Sequence, residues 1–122
     1  MKKFFLTLVF LISINFTFGQ SSNSASCSSK TTLIEGKEKG IIEIKLPESI
    51  TKEEVEKYSK YYENAFKVNF DEKSHILVFK MVENNTSNRK VILRFLAANQ
   101  IQHVIVEEKS YLVTDFYENF LK

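Results

Sequence analysis

Apolar residues recur along this chain with two different periods, that of a β-strand and that of an α-helix. This pattern is the strongest constraint on the fold. Ile42, Ile44 and Leu46 alternate with polar neighbours, which predicts a strand with one buried face that ends at Pro47. A helical stripe follows, spaced three or four residues apart and made of Val55, Tyr58, Tyr62 and Ala65. The first half of the pattern is therefore a strand followed by an amphipathic helix.

The start of this first helix has a specific chemical signature. Thr51 and Glu54 form a T-x-x-E capping box, in which each side chain satisfies a backbone N–H of the other residue. Ile50 stands just before the cap, where it is expected to pack on Val55 as a hydrophobic staple. We therefore predict that the helix begins at Thr51.

The second half of the chain predicts a hairpin, a helix and a last strand. Residues 67–70 and 75–82 form the hairpin arms around a polar turn, and Thr86 or Ser87 caps a helix that closes near Asn99. Val104–Val106 is the next strand, and Tyr111–Val113 either continues it past a bulge or forms a short fifth strand. Thr114 or Asp115 then caps a terminal helical turn, with Phe116 and Phe120 packing back.

This order of elements, β-α-β-β-α-β, predicts an α+β ferredoxin-like sandwich. Two helices would cover one face of a four-stranded antiparallel sheet with strand order 4-1-3-2, followed by a short C-terminal helical turn. Ile76–Phe79 is apolar on both faces, which favours a central position for the third strand.

The N-terminal segment has the composition of a secretory signal peptide. Lys2 and Lys3 precede a nearly unbroken apolar run, Phe4–Phe18, which is followed by small and polar residues. We predict a signal peptide over 1–20, cleaved after Gly19 or Gln20, a flexible Ser-rich leader over 21–39, and one domain over 40–122. The protein is then exported, periplasmic or secreted.

Two alternatives to a cleaved signal peptide remain. In the first, the segment is a permanent membrane anchor, but its apolar run of about 15 residues is shorter than the ~20 that a membrane-spanning helix needs. A lipoprotein would carry its lipid on Cys27, although Ser24 stands where a leucine is usual. Without that lipid, the mature chain has no membrane attachment.

Charge and cysteine content exclude several classes of function. Apart from Lys2 and Lys3, the chain has equal numbers of basic and acidic residues, so no basic surface indicates nucleic acid. Its single cysteine permits no intramolecular disulfide, and the exported domain must depend on its hydrophobic core.

From Gly40 to about Val113 the chain resembles a heavy-metal-associated domain of the copper-chaperone type. Ile42–Leu46 matches the opening strand, Val55–Phe66 the first helix, Val68–Lys73 the second strand and turn, and Ile76–Phe79 the third strand. That family carries a Cys-x-x-Cys pair in its first loop, but Leu46–Thr51 contains no cysteine. The resemblance therefore implies the fold and a protein contact, and no metal-transfer residue carries over.

Two sets of residues are candidates for a site. His75 and His103 are expected at the same end of the sheet, roughly 10 Å apart, where they could share a metal ion. Tyr58, Tyr61 and Tyr62 form an aromatic cluster of the kind enriched at interface centres. The alternative for the histidines is that they are partly exposed residues at strand ends that bind no metal. The alternative for the tyrosines is that they are core residues with their hydroxyls at the rim.

No catalytic motif is present in the sequence, and no cofactor is predicted. The chain has no recognisable nucleophile motif and no Gly-rich phosphate loop. We therefore expect an exported, non-enzymatic domain that acts through protein–protein interaction, with a protein partner or a second copy of itself. The alternative is a metal or small-ligand binding protein that uses the His75 and His103 end of the sheet.

Overall fold

The computed structural model of the protein describes residues 24–122. The strands are β1 Ser24–Cys27, β2 Ile41–Lys45, β3 Phe66–Asp71, β4 Ile76–Met81, β5 His103–Val106 and β6 Lys109–Leu112. The helices are α1 Lys30–Lys39, α2 Lys52–Ser59, α3 Thr86–Ala98 and α4 Val113–Phe116. A 3₁₀ turn, Lys60–Tyr62, follows α2, and a π-helical segment, Tyr117–Leu121, continues α4.

The six strands form one mixed sheet in the order β3-β4-β2-β1-β5-β6. The prediction of a four-stranded antiparallel ferredoxin-like sheet with two helices is therefore wrong, although the α+β class is confirmed. The difference arises mainly in the middle of the sheet. There β1 lies between β2 and β5, antiparallel to β2 and parallel to β5.

Residues 24–39 form β1 and α1, where the sequence predicted a flexible leader. Polar, small residues concealed both elements, because only Ala25 of β1 and Leu33 of α1 are fully buried. The strand is stabilised mainly by its pairing with β5, which spans four register pairs from Ser24–His103 to Cys27–Val106. A tertiary pairing thus overrides a weak local preference.

The signal-peptide prediction for residues 1–20 lies outside the described residues, as do Ser21–Asn23. Within residues 24–122, no helix has the length and apolar character needed to cross a membrane.

Helix α1 is fixed at both of its ends. Ser29 caps its first turn by accepting a hydrogen bond from the Thr32 N–H at 3.1 Å, and the Lys30 N–H donates to Glu107 Oε2 at 2.9 Å. Gly40 ends the helix in the left-handed conformation, at φ 77°. Gly36 lets the helix approach β2 closely, because a Cβ there would overlap the carbonyl oxygen of Ile41.

The predicted signals at the helix ends hold in part. Thr51 and Glu54 form the predicted capping box, and α3 closes at Asn99, as predicted. The cap of α3 is Asn85, one residue before the predicted Thr86 or Ser87. No side chain caps α4, so the cap predicted at Thr114 or Asp115 is wrong.

One face of the sheet carries the hydrophobic core. Pairs such as Ile42–Phe79 and Ile44–Leu77 lie opposite each other across the strands and are fully buried. The helices pack on this face: the Phe79 and Phe95 rings are 5.4 Å apart, and the Tyr111 and Phe120 rings are 5.2 Å apart. The buried positions of β1 to β5 and the half-buried Tyr111 of β6 share this inner face, so the helices form a single layer on it.

Arg89 ties the C-terminal segment to the helical layer. This buried side chain of α3 donates hydrogen bonds to the carbonyl oxygens of Leu121 and Lys122 and to Oδ1 of Asn84. The Asn84 amide in turn donates to the Lys37 carbonyl oxygen of α1 at 2.7 Å. One guanidinium therefore links α3, the end of α1 and the chain's last residues.

Candidate functional site

The outer face of the sheet is divided by charge into two halves. No outward side chain of the six strands is buried. Outward residues of β2, β3 and β4 include Lys45, Glu43, Lys67, Asp71 and Lys80. Outward residues of β1, β5 and β6 are Ser24, Ser26, His103, Ile105, Ser110 and Leu112, which include no lysine, arginine, aspartate or glutamate.

A groove of about 560 Å³ continues this uncharged half past the end of the sheet. It is lined by Ala97, Gln100, Ile101, Gln102, Leu112, Val113 and Thr114. Leu112 belongs both to the outer sheet face and to the groove, and its side chain is 51% exposed. We call the groove residues together with the six outward residues of β1, β5 and β6 the uncharged surface.

The end of α3 shapes one wall of the groove. Gln100 adopts the left-handed conformation at φ 63°. Its N–H donates to the Ala97 carbonyl oxygen, and the Ile101 N–H donates to the Leu96 carbonyl oxygen, both at 2.9 Å. These two bonds form a Schellman motif, which turns the chain sharply from α3 towards β5.

The opposite wall of the groove is the junction between β6 and α4. The Val113 N–H donates to the Gln102 carbonyl oxygen at 3.1 Å, which extends the β5–β6 ladder by one pair. Leu112 has φ −63° and ψ 151°, so the chain leaves the strand there and enters the helix at Val113. The groove is thus built on hydrogen-bonded backbone on both sides.

The structure does not bring His75 and His103 together. Their strands start at the same end of the sheet, but β2 and β1 both lie between β4 and β5. The separation is therefore about 14 Å by three strand spacings, because β1 adds one spacing to the predicted arrangement. Residues 24–122 contain no group of three or more His, Cys, Asp or Glu side chains placed to hold a metal ion.

His75 has a structural environment of its own. Its Nδ1 lies 3.1 Å from the Glu72 carbonyl oxygen, and its Nε2 lies 3.1 Å from the Ile50 carbonyl oxygen. Glu48 Oε1 is 3.7 Å from Nδ1. The ring therefore joins the β3–β4 turn to the loop before α2, whereas His103 stands half-buried on the uncharged surface.

The three tyrosines of the predicted cluster lie in different environments. Tyr62 packs edge-on against Phe95 with ring centroids 6.4 Å apart, and Tyr58 is half-buried beside the core. Tyr61 is 71% exposed, on the side of the molecule that carries the helices. Tyr61 alone is therefore free to contact a partner with most of its ring.

Cys27 is a half-buried thiol on the inner side of β1. Its Sγ lies 3.7 Å from the carbonyl oxygen of Glu43, and burial raises the pKa of the Cys27 thiol to about 12. The thiol stays protonated near neutral pH, which removes most of its nucleophilicity. Cys27 is the last residue of β1, which lies between β2 and β5 in the sheet.

The candidate interaction residues from the sequence did not include the uncharged surface. Its signal was nevertheless present, because Phe95–Val106 is a run of 12 residues without a lysine, arginine, aspartate or glutamate. Charged residues make up 26% of the chain, so such a run indicates an unusual surface or a buried segment. Only the fold shows that Gln100, Gln102 and Ile105 of this run face outwards.

No protein-family model matches this chain, and neither the curated proteins nor the solved structures include a match to it. The resemblance to heavy-metal-associated domains therefore gains no family support, and its implied four-stranded fold is the one corrected above.

Proposed function

We propose that the protein is an exported, non-enzymatic domain that binds another protein through its uncharged surface. The observation that carries the proposal is the absence of lysine, arginine, aspartate and glutamate from that entire surface. Depletion of charged residues at the centre is the compositional mark of protein–protein interfaces. Export is supported by the composition of residues 1–20.

The chemistry of the groove supports binding rather than catalysis. Its lining offers aliphatic side chains, two glutamine amides and one threonine hydroxyl, and none of these is an ionisable group for acid–base work. Amide and hydroxyl groups give directional hydrogen bonds at the rim, and Ile101, Leu112 and Val113 provide the apolar contact. This mixture suits the backbone and apolar side chains of a partner polypeptide.

The test is site-specific photo-crosslinking in the cells that make the protein. One variant carries p-benzoylphenylalanine in place of Leu112, and a control carries it in place of Ile34 on α1. The two native side chains have the same exposure, 51%, but Ile34 belongs to the helical layer. We expect a discrete protein adduct from position 112 and none of that mass from position 34.

Equal adduct patterns from both positions, or no adduct from position 112, would contradict the proposal. A third variant carries p-benzoylphenylalanine in place of Tyr61, and it distinguishes binding through the tyrosine cluster from binding through the uncharged surface. A discrete adduct from Tyr61 alone would assign the interaction to the tyrosine cluster instead.

A further inference from the structure

The β6 strand forms one edge of the sheet among the described residues, and its register shows which backbone groups point outwards. The bond from the Val113 N–H to the Gln102 carbonyl oxygen makes residues 102 and 113 a hydrogen-bonded pair. Hydrogen-bonded and non-bonded pairs alternate along an antiparallel ladder, so Tyr111 and Lys109 also bond to β5. The N–H and C=O groups of Ser110 and the N–H of Leu112 therefore point away from the sheet, whereas the Leu112 carbonyl oxygen accepts the first hydrogen bond of α4.

The two edges of the sheet are protected to different degrees. Charged side chains on an edge strand discourage pairing with another chain. β3 presents Lys67, Asn69 and Asp71 on its outer face, whereas β6 presents Ser110 and Leu112. Lys109 lies on the inner side, with its Nζ 5.1 Å from the centre of the Tyr111 ring. β6 is therefore the less protected edge, and it belongs to the uncharged surface.

We propose that the occupant of this edge is a second copy of the same chain, bound by antiparallel pairing of β6 with β6. This inference rests on the proposed function, since it names the partner of the same surface. An antiparallel edge pair obeys a two-fold axis, so each edge is automatically complementary to its copy. Pairing Ser110 with Leu112 of the second copy places Tyr111 on the axis, and in each of the two pairs the Leu112 N–H of one copy donates to the Ser110 carbonyl oxygen of the other.

Charge places no barrier against this association. Of the 17 basic residues, Lys2 and Lys3 precede Ser24, which leaves 15 basic and 15 acidic residues in the described part. Two copies with zero net charge do not repel each other at long range, and low net charge favours association. The uncharged surfaces of the two copies then adjoin along one extended sheet.

Leu112→Pro tests the backbone pairing without straining the fold. The native φ of Leu112 is −63°, which is the value that proline fixes, and its N–H points away from β5. The variant therefore removes one outward donor from each copy and retains the hairpin. Leu112→Ala is the matched control, because it also removes the leucine side chain but keeps the N–H.

The measurement is sedimentation equilibrium of the protein expressed from the full sequence, residues 1–122, and purified in the form that the host produces. We expect a dimer for the parent and at least a tenfold larger dissociation constant for Leu112→Pro than for Leu112→Ala. At a protein concentration where parent and variant are both monomeric, Leu112→Pro should not lower the melting temperature. A monomeric parent at all concentrations, or equal weakening by both substitutions, would overturn the inference. A monomer whose position 112 still crosslinks to another protein would overturn self-pairing alone and leave the proposed function standing.

Discussion

Gly36 shows how one residue sets the distance between a helix and a strand. Its Cα lies so close to the Ile41 carbonyl oxygen that an added Cβ would overlap that oxygen. The backbone of β2 cannot move without breaking its ladder with β4. A glycine in mid-helix reads from sequence as a helix breaker, and only the contact with β2 explains it.

We predict that Gly36→Ala destabilises the fold by about 1–3 kcal/mol, because overlap with fixed backbone outweighs the better helix propensity of alanine. Urea unfolding followed by circular dichroism measures the free energy of unfolding. Glu38→Ala, on an exposed position of the same helix, is the control and should change stability little. A stabilised Gly36→Ala variant would show that α1 does not approach β2 as described.

Gln100 holds a left-handed conformation that glycine adopts at lower cost. Left-handed backbone costs a non-glycine residue about 1–2 kcal/mol, while glycine adds roughly 0.4–1 kcal/mol of unfolded-state entropy. We therefore predict that Gln100→Gly raises the free energy of unfolding by up to about 1 kcal/mol. Thermal unfolding checks this, and a lower melting temperature would count against the Schellman turn at the end of α3.

Cys27 should react slowly in the folded protein. Burial raises the pKa of its thiol to about 12, so the reactive thiolate is scarce at pH 8. Iodoacetamide labelling followed by mass spectrometry should be slow without denaturant and at least tenfold faster in guanidinium. Rapid labelling of the folded chain would show that β1 exposes this thiol.

At the scale of elements, Arg89 is the main polar link of the C-terminal segment. Replacing it with methionine leaves the carbonyl oxygens of Leu121 and Lys122 without their donor. We predict a loss of about 1–3 kcal/mol, together with faster amide hydrogen exchange in residues 117–122. Arg94→Met, in the same helix but exposed, should leave both measurements unchanged.

Elements with strong periodicity or caps were predictable from sequence, and elements that depend on tertiary pairing were not. The capping box of Thr51 and Glu54 contains its own partners, so it is visible in the sequence and present in the structure. Ser24–Cys27 has little apolar surface and gains its place from β5, 76 or more residues away. No local signal therefore predicts it.

The same distinction explains what was missed about the site. Aromatic clusters and histidines are conspicuous in a sequence, and they directed the first hypotheses to Tyr58, Tyr61, Tyr62, His75 and His103. The uncharged surface is defined by residues that are absent, and its parts come from β1, β5, β6 and the end of α3. Only the sheet order brings these segments together.

At the scale of the whole molecule, the insertion of β1 between β2 and β5 is the central claim. It separates the charged half of the outer face from the uncharged half, and it moves His75 away from His103. Without β1, the fourth predicted strand would pair directly with the first, as in the ferredoxin-like arrangement.

Cross-strand nuclear Overhauser effects between backbone protons test this claim most directly. Ser26 has Lys45 as its register partner on one side and Ile105 on the other. We predict effects from Ser26 to both residues and none between Lys45 and Ile105, which β1 holds about 10 Å apart. Direct effects between Lys45 and Ile105, with none from Ser26, would contradict the six-stranded sheet and the uncharged surface built on it.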